Sequence, residues 1–202
     1  MSLILFLFSV ILISLSGIMM PGPVFAVTLS KGYESPLAGI GIALGHGLIE
    51  LPLVAIIYFG FARFFHLELV KTIVGIAGGS ILIYMGSGMF RIRHEIDEKV
   101  HSFSQGSITA GFLTSTSNPY FFLWWATIGA ALMTKAITFG VVGIILFVVV
   151  HWLSDLSWYS LVSLVVYRSK HLWSKKLRRI LFGSCGAILI GFGGWFIISA
   201  VI

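Results

Sequence analysis

The sequence predicts an all-α integral membrane protein: six transmembrane helices arranged as two inverted three-helix repeats, with the first and fourth helices broken. Three observations carry this. The 202 residues are 58% hydrophobic and only 10% charged, with a mean hydropathy of +1.04, against roughly 25% charged in soluble domains. Long apolar runs fill the chain, and a helical span needs about 20 such residues. Two prolines flank a glycine inside the first run, in Met19 to Val27, and Asn118-Pro119 interrupts a later one.

The six spans are expected at about 3–30, 36–61, 69–90, 106–134, 137–167 and 179–201, joined by short loops. No room remains for a soluble domain. The chain is read as one membrane domain with halves at 1–100 and 101–202. No cleaved leader is expected, because Met1 and Ser2 run straight into apolar residues without a basic segment. Cys185 is the single cysteine and sits among Gly183, Ser184 and Gly186, where a small residue suits helix packing.

In the first span, Pro21 and Pro23 have no N–H to donate, so the carbonyls of Gly17 and Met19 lose their helical partners. Such orphans are costly away from water and survive where protein or a wet cavity surrounds them. Gly22 followed by Pro23 reads as an N-cap and first helical position, starting a half-helix whose free amides favour an anion. A plain proline kink is the alternative. In the fourth span Asn118 and Pro119 form the same kind of start, after the polar patch Thr114, Ser115, Thr116 and Ser117. At 1.5 Å per residue, Pro23 lies roughly 12 Å from the level of Lys31 and Asn118 roughly 18 Å from Gly106. Both breaks are thus expected near the middle of a core about 30 Å thick.

The second span holds His46 and Glu50, four residues apart, and the fifth holds His151 and Asp155 in the same relation 105 positions later. Each pair shares a helix face. Carboxyls at membrane depth are costly toward lipid, so they face the interior and are functional candidates that can take and release protons. A proton relay, a cation site or a structural lock between helices all fit. Pro52 frees the carbonyl of Leu48, a further oxygen expected beside Glu50. The run Tyr120, Phe121, Phe122, Trp124 and Trp125 reads chiefly as lipid-facing packing or an interfacial belt, with a substrate pocket as the alternative. Gly39, Gly41, Gly45 and Gly47 form a small-residue face for close packing, against neighbouring helices or a second copy of the chain.

The third and sixth spans carry GSILIYMG, Gly79 to Gly86, and GAILIGFG, Gly186 to Gly193. With the paired breaks and the paired His and acid, spans one to three match spans four to six. A unit with three crossings re-enters from the opposite side, so the repeats are inverted, an arrangement recurrent in secondary transporters. Of 13 Lys and Arg, ten fall on the side of the loops after spans one, three and five, and three on the other: Arg63, Lys71 and Lys135. The positive-inside rule places the ten in the cytoplasm and both termini outside. Because these charges set membrane orientation, the net charge of +6 does not indicate nucleic-acid binding.

These motifs resemble the LysE/RhtB family of amino-acid exporters over essentially the whole chain. The resemblance rests on Pro21-Gly22-Pro23, Asn118-Pro119, the acidic Glu50, a length near 200 residues and a basic turn at Lys31-Gly32. It implies export of basic or neutral amino acids across the plasma membrane, generally driven by the proton gradient. Val24 stands where a polar residue often follows the first motif, and Tyr120 where Lys often follows the second, which leaves the substrate open. On this reading the half-helix starts at Gly22-Pro23 and Asn118-Pro119 hold the substrate carboxylate. Glu50 and Asp155 bind its ammonium or the coupling proton, with His46 and His151 in the relay.

No cofactor, metal or catalytic residue is assigned, and the partners expected are an amino acid, protons and lipid. Divalent-metal efflux is the nearest rival, and it requires both histidines and both carboxyls to converge. An intramembrane metal-dependent hydrolase lacks a recognisable nucleophile motif, so no enzyme is expected. A purely structural role would leave Glu50 and Asp155 tolerant of alanine.

Overall fold

The computed structural model describes residues 2–20, 22–61, 67–94 and 105–201. Among them the only regular secondary structure is helix: α1 (Leu3–Ile18), α2 (Pro23–Glu34), α3 (Ala38–Tyr58), α4 (Glu68–His94), α5 (Ser107–Thr116), α6 (Pro119–Trp124), α7 (Ala130–Ile137), α8 (Gly140–Ser169) and α9 (Lys175–Val201). A π-helical turn, Trp125–Gly129, joins α6 to α7. Five helical stretches among the described residues are long and apolar enough to cross a bilayer, and there are six if α1 and α2, which pass together, are counted as one broken span. The chain is a multi-pass, all-α membrane protein.

Both expected breaks are present. α1 and α2 are bent by 78°. Before the bend Met19 N–H donates to the Leu15 carbonyl at 3.0 Å, and helix resumes with Pro23 at the first position and Ala26 N–H donating to the Gly22 carbonyl at 2.9 Å. Pro21 lies outside the described residues. The second break falls at Ser117 and Asn118, where the Asn118 side-chain oxygen accepts from Tyr120 N–H at 3.1 Å and caps α6.

Several boundaries differ from expectation. α2 runs on through Glu34, so Lys31 and Gly32 are helical rather than a turn. Lys31 is buried and pairs with Glu34 at 3.1 Å, while a side chain at Gly32 would press on Ser163 Cα at 2.8 Å. The fourth span also divides unevenly: Ser107–Thr116 precedes the break, and Pro119–Ile137 is by itself 19 residues long, about 28 Å of helix. α4 and α9 extend to His94 and begin at Lys175. Arg63 and Lys99 lie outside the described residues.

Close crossings organise the packing. The glycine face of α3 is filled by the chain's own helices: a Cβ on Gly39 would overlap the Tyr159 carbonyl, and one on Gly45 the Ile108 carbonyl. That face has no room for a second copy. α4 and α9 meet reciprocally: a Cβ on Gly79 would lie 2.5 Å from the Gly193 carbonyl oxygen, one on Gly193 2.6 Å from that of Gly79, and one on Gly86 2.8 Å from that of Gly186. Small residues permit such approaches, which is how packing replaces the hydrophobic effect as the force between membrane helices.

The buried apolar side chains form two main clusters. One includes Ile42, Ala43 and Tyr159; the other includes Leu53, Val54 and Phe147. Along α3, His46 and Glu50 fall between Ile42 and Leu53, and along α8, His151 and Asp155 fall between Phe147 and Tyr159. Both polar pairs therefore sit where one apolar cluster gives way to the other. Cys185 is buried in the first cluster, as its small neighbours suggested.

Candidate functional site

The i, i+4 spacing puts each histidine on the same face of its helix as its acid, and the crossing of α3 with α8 brings the two faces together. All four side chains are buried: His46 and His151 at 5% exposure, Glu50 at 1% and Asp155 at 0%. His151 Nε2 lies 2.7 Å from Glu50 Oε1 and 3.7 Å from Asp155 Oδ2. His46 Nε2 lies 3.6 Å from the same Asp155 oxygen and 3.8 Å from Glu50 Oε1. One oxygen of each carboxyl lies within 4.8 Å of the other.

Each imidazole is aimed by a serine from a broken helix. Ser115 donates its hydroxyl hydrogen to the Gly111 carbonyl at 2.8 Å. Its oxygen is then the acceptor for His46 Nδ1–H at 2.7 Å, which in the neutral ring leaves the Nε2 lone pair pointing at the carboxyls. Ser14 holds His151 Nδ1 at 2.6 Å. Aromatic rings complete the frame: Trp124 stacks on His151 with centroids 5.4 Å apart, and Phe121 meets His46 edge-on at 4.9 Å.

Among the described residues, the imidazoles are the only basic side chains within 4.0 Å of either carboxyl. Two carboxylates this close and away from water repel strongly, and no lysine or arginine among the described residues lies near enough to offset them. Such a cluster is built to hold positive charge, as protons on its own groups or as a cation.

A cavity of about 420 Å³ opens onto this cluster. It is lined by Gly22 and Pro23 from the first break, Asn118 and Pro119 from the second, and His46, His151 and Asp155 from the cluster. Glu50 is absent from the wall and stands behind Asp155 and the imidazoles. The two helix starts differ as anion sites. The amides of Val24 and Phe25 precede the first hydrogen bond of α2 and lie at the cavity wall, whereas the Tyr120 amide is already taken by the Asn118 side chain.

The aromatic run contributes to the cavity wall through Tyr120, Phe121, Phe122, Trp124 and Trp125; Trp125 is 1% exposed, whereas Tyr120 keeps 44% of its surface exposed. For Trp125 the π turn supplies the space, since a Cβ on Gly129 would overlap its ring. Leu48 and Pro52 both face outward on α3, on another side of the helix from buried Glu50. Ser14 was not identifiable in advance, being one serine among several in an apolar run. Tyr159 and Phe196 also line the wall without any motif to mark them.

Comparison with known proteins agrees with this architecture. The family model described as LysE type translocator matches residues 15–200. A Bacillus subtilis (strain 168) protein named "Putative amino acid efflux protein YcgF" is 28% identical over 188 residues, covering 87% of each chain. No solved structure matches the sequence.

Proposed function

Because the chain belongs to the LysE type translocators, a family of transporters rather than enzymes, we propose that it exports an amino acid across the plasma membrane in exchange for protons. The observation that carries this reading is the single cavity that joins both helix breaks to the buried His and carboxyl cluster. The open amides of α2 receive the substrate carboxylate, with Asn118-Pro119 shaping the opposite wall. Asp155, at the wall, takes the ammonium. Glu50, behind it, exchanges the coupling proton through His151, and His46 completes the relay.

The reciprocal α4–α9 contacts and the matched serine–histidine pairs support two inverted halves, 1–100 and 101–202, within one membrane domain. With the basic loops in the cytoplasm, both termini lie outside. The cavity then opens outward, since its wall extends to Val70 and Val74 near the start of α4 and to Ser199 and Ala200 at the end of α9. The opposite end is closed. There Lys170 Nζ donates to the Tyr33 carbonyl at 3.1 Å, and Ser163 bridges Gly39 N–H and the Pro36 carbonyl, each at 3.0 Å. Lipid covers the exposed apolar faces, and a homo-oligomer would form through a surface other than the α3 glycine face.

The first test is uptake of labelled amino acids into everted vesicles carrying an imposed proton gradient. Gradient-driven accumulation is expected, with leucine and phenylalanine ahead of lysine, because the wall is largely aromatic and aliphatic. Failure of every amino acid to accumulate would defeat the export reading. Orientation has its own test. A Ser199→Cys variant in intact cells is expected to react with a membrane-impermeant maleimide added outside. Reaction only in everted vesicles would reverse the assigned topology.

A further inference from the structure

We propose that His46, Glu50, His151 and Asp155 together bind one divalent transition-metal ion of the zinc class, through two imidazole nitrogens and two carboxylate oxygens. The inference stands on the geometry of the cluster and does not depend on the export reading; the metal-bound cluster and the cluster that takes ammonium and proton are alternative states of the same four side chains.

Four-coordinate zinc has bonds near 2.0–2.1 Å to nitrogen and oxygen, so neighbouring ligand atoms sit about 3.3 Å apart. Three of the four separations between imidazole and carboxylate are 3.6, 3.7 and 3.8 Å, a few tenths beyond that edge. The fourth, 2.7 Å between His151 Nε2 and Glu50 Oε1, opens by about 0.6 Å when a cation enters between them. The ligand atoms of His46, Glu50 and Asp155 already lie within 4.8 Å of one another, and His151, outside that set, closes the fourth position by swinging inward as the cation enters.

The surroundings have the features such a site needs. Ser115 and Ser14 hold the Nδ1 atoms and aim both Nε2 atoms inward, the outer partnership that orients metal-ligating histidines. Both oxygens of Asp155 lack a hydrogen-bond partner among the described residues. The charge also closes: two carboxylates and one dication sum to zero, the state a membrane interior favours. A mixed nitrogen and oxygen set without thiolate suits zinc or cobalt rather than softer ions. Entry is provided by the cavity, whose wall includes three of the four ligands.

The test uses the full chain, purified in detergent with a histidine-free tag, stripped with chelator and titrated with Co²⁺ alone. One equivalent is expected to bind with the intense visible absorption of tetrahedral cobalt, and Zn²⁺ should displace it one for one. The isosteric Glu50→Gln and Asp155→Asn variants, together with His46→Ala, are expected to weaken binding by on the order of 100-fold. Ser115→Ala should weaken it by about 10-fold. Exposed His171→Ala should bind as wild type does. Thermal unfolding in the same detergent confirms that each variant is folded, and the two isosteric changes keep the test decisive if His46→Ala is not. A wild type that binds no stoichiometric cobalt, or that gives a weak octahedral spectrum unchanged by these ligand substitutions, overturns the proposal.

Discussion

Asp155→Asn is expected to abolish gradient-driven accumulation in vesicles, lowering the initial rate by roughly 100-fold or more, the scale of losing one partner of a buried charge pair. The substitution preserves volume and the single branch of the side chain, so packing changes little. What it removes is the full negative charge presented to an ammonium. Asp155 is fully buried yet contributes to the cavity wall, with both imidazoles within 4.0 Å. No other carboxyl among the described residues shares that position. Glu50→Gln should behave differently, because Glu50 stands behind the wall. Exchange of labelled for unlabelled substrate, which needs no proton gradient, is expected to survive in Glu50→Gln while gradient-driven accumulation is lost. Measuring both modes side by side separates substrate contact from coupling. If both variants transport as wild type does, the cluster is a structural lock between α3 and α8.

The largest effect on stability is expected at Gly45. A Cβ there would overlap the Ile108 carbonyl oxygen and lie 2.7 Å from Phe112 N. Both are backbone atoms of a packed helix and have no rotamer to move away. Overpacking of this kind typically costs 1–3 kcal/mol even for small additions, so Gly45→Ala should destabilise by about 2 kcal/mol and Gly45→Leu should prevent α3 from seating against α5. Gly191 is the internal control, since nothing approaches within 4 Å of a Cβ at that position. There alanine should be neutral or slightly stabilising, because it favours helix over glycine. Unfolding in detergent, followed by loss of helical signal with denaturant, compares the two. Equal midpoints for Gly45→Ala and Gly191→Ala would mean that the α3–α5 crossing is looser than described.

The membrane class, the apolar spans and the two breaks were legible in the sequence because each depends on local properties. Apolar length decides whether a segment can cross, and proline withholds an amide wherever it stands. The pairing of His46 with Glu50 and of His151 with Asp155 was legible for the same reason, since a helix turn places residues four apart on one face. Boundaries were less so: Lys31 and Gly32 looked like a turn, but packing against α8 carries the helix through them. For the aromatic run after Asn118 the alternative of a pocket wall fits Trp125 better than lipid-facing packing, because composition cannot tell a lipid-facing ring from one turned inward by a π turn.

Only the tertiary structure decided that the two polar pairs, 105 positions apart, share one cluster. Their meeting depends on how α3 crosses α8, and that crossing is set by contacts between glycines and distant backbone carbonyls. The sequence shows which residues are small but carries no record of which carbonyl will lie against them. The same holds for Ser14 and Ser115 as holders of the imidazoles, and for Glu50 standing behind the wall that Asp155 helps to form. Spans, breaks and shared faces follow from bonds within a few residues of each other, whereas a site between helices exists only once those helices have packed.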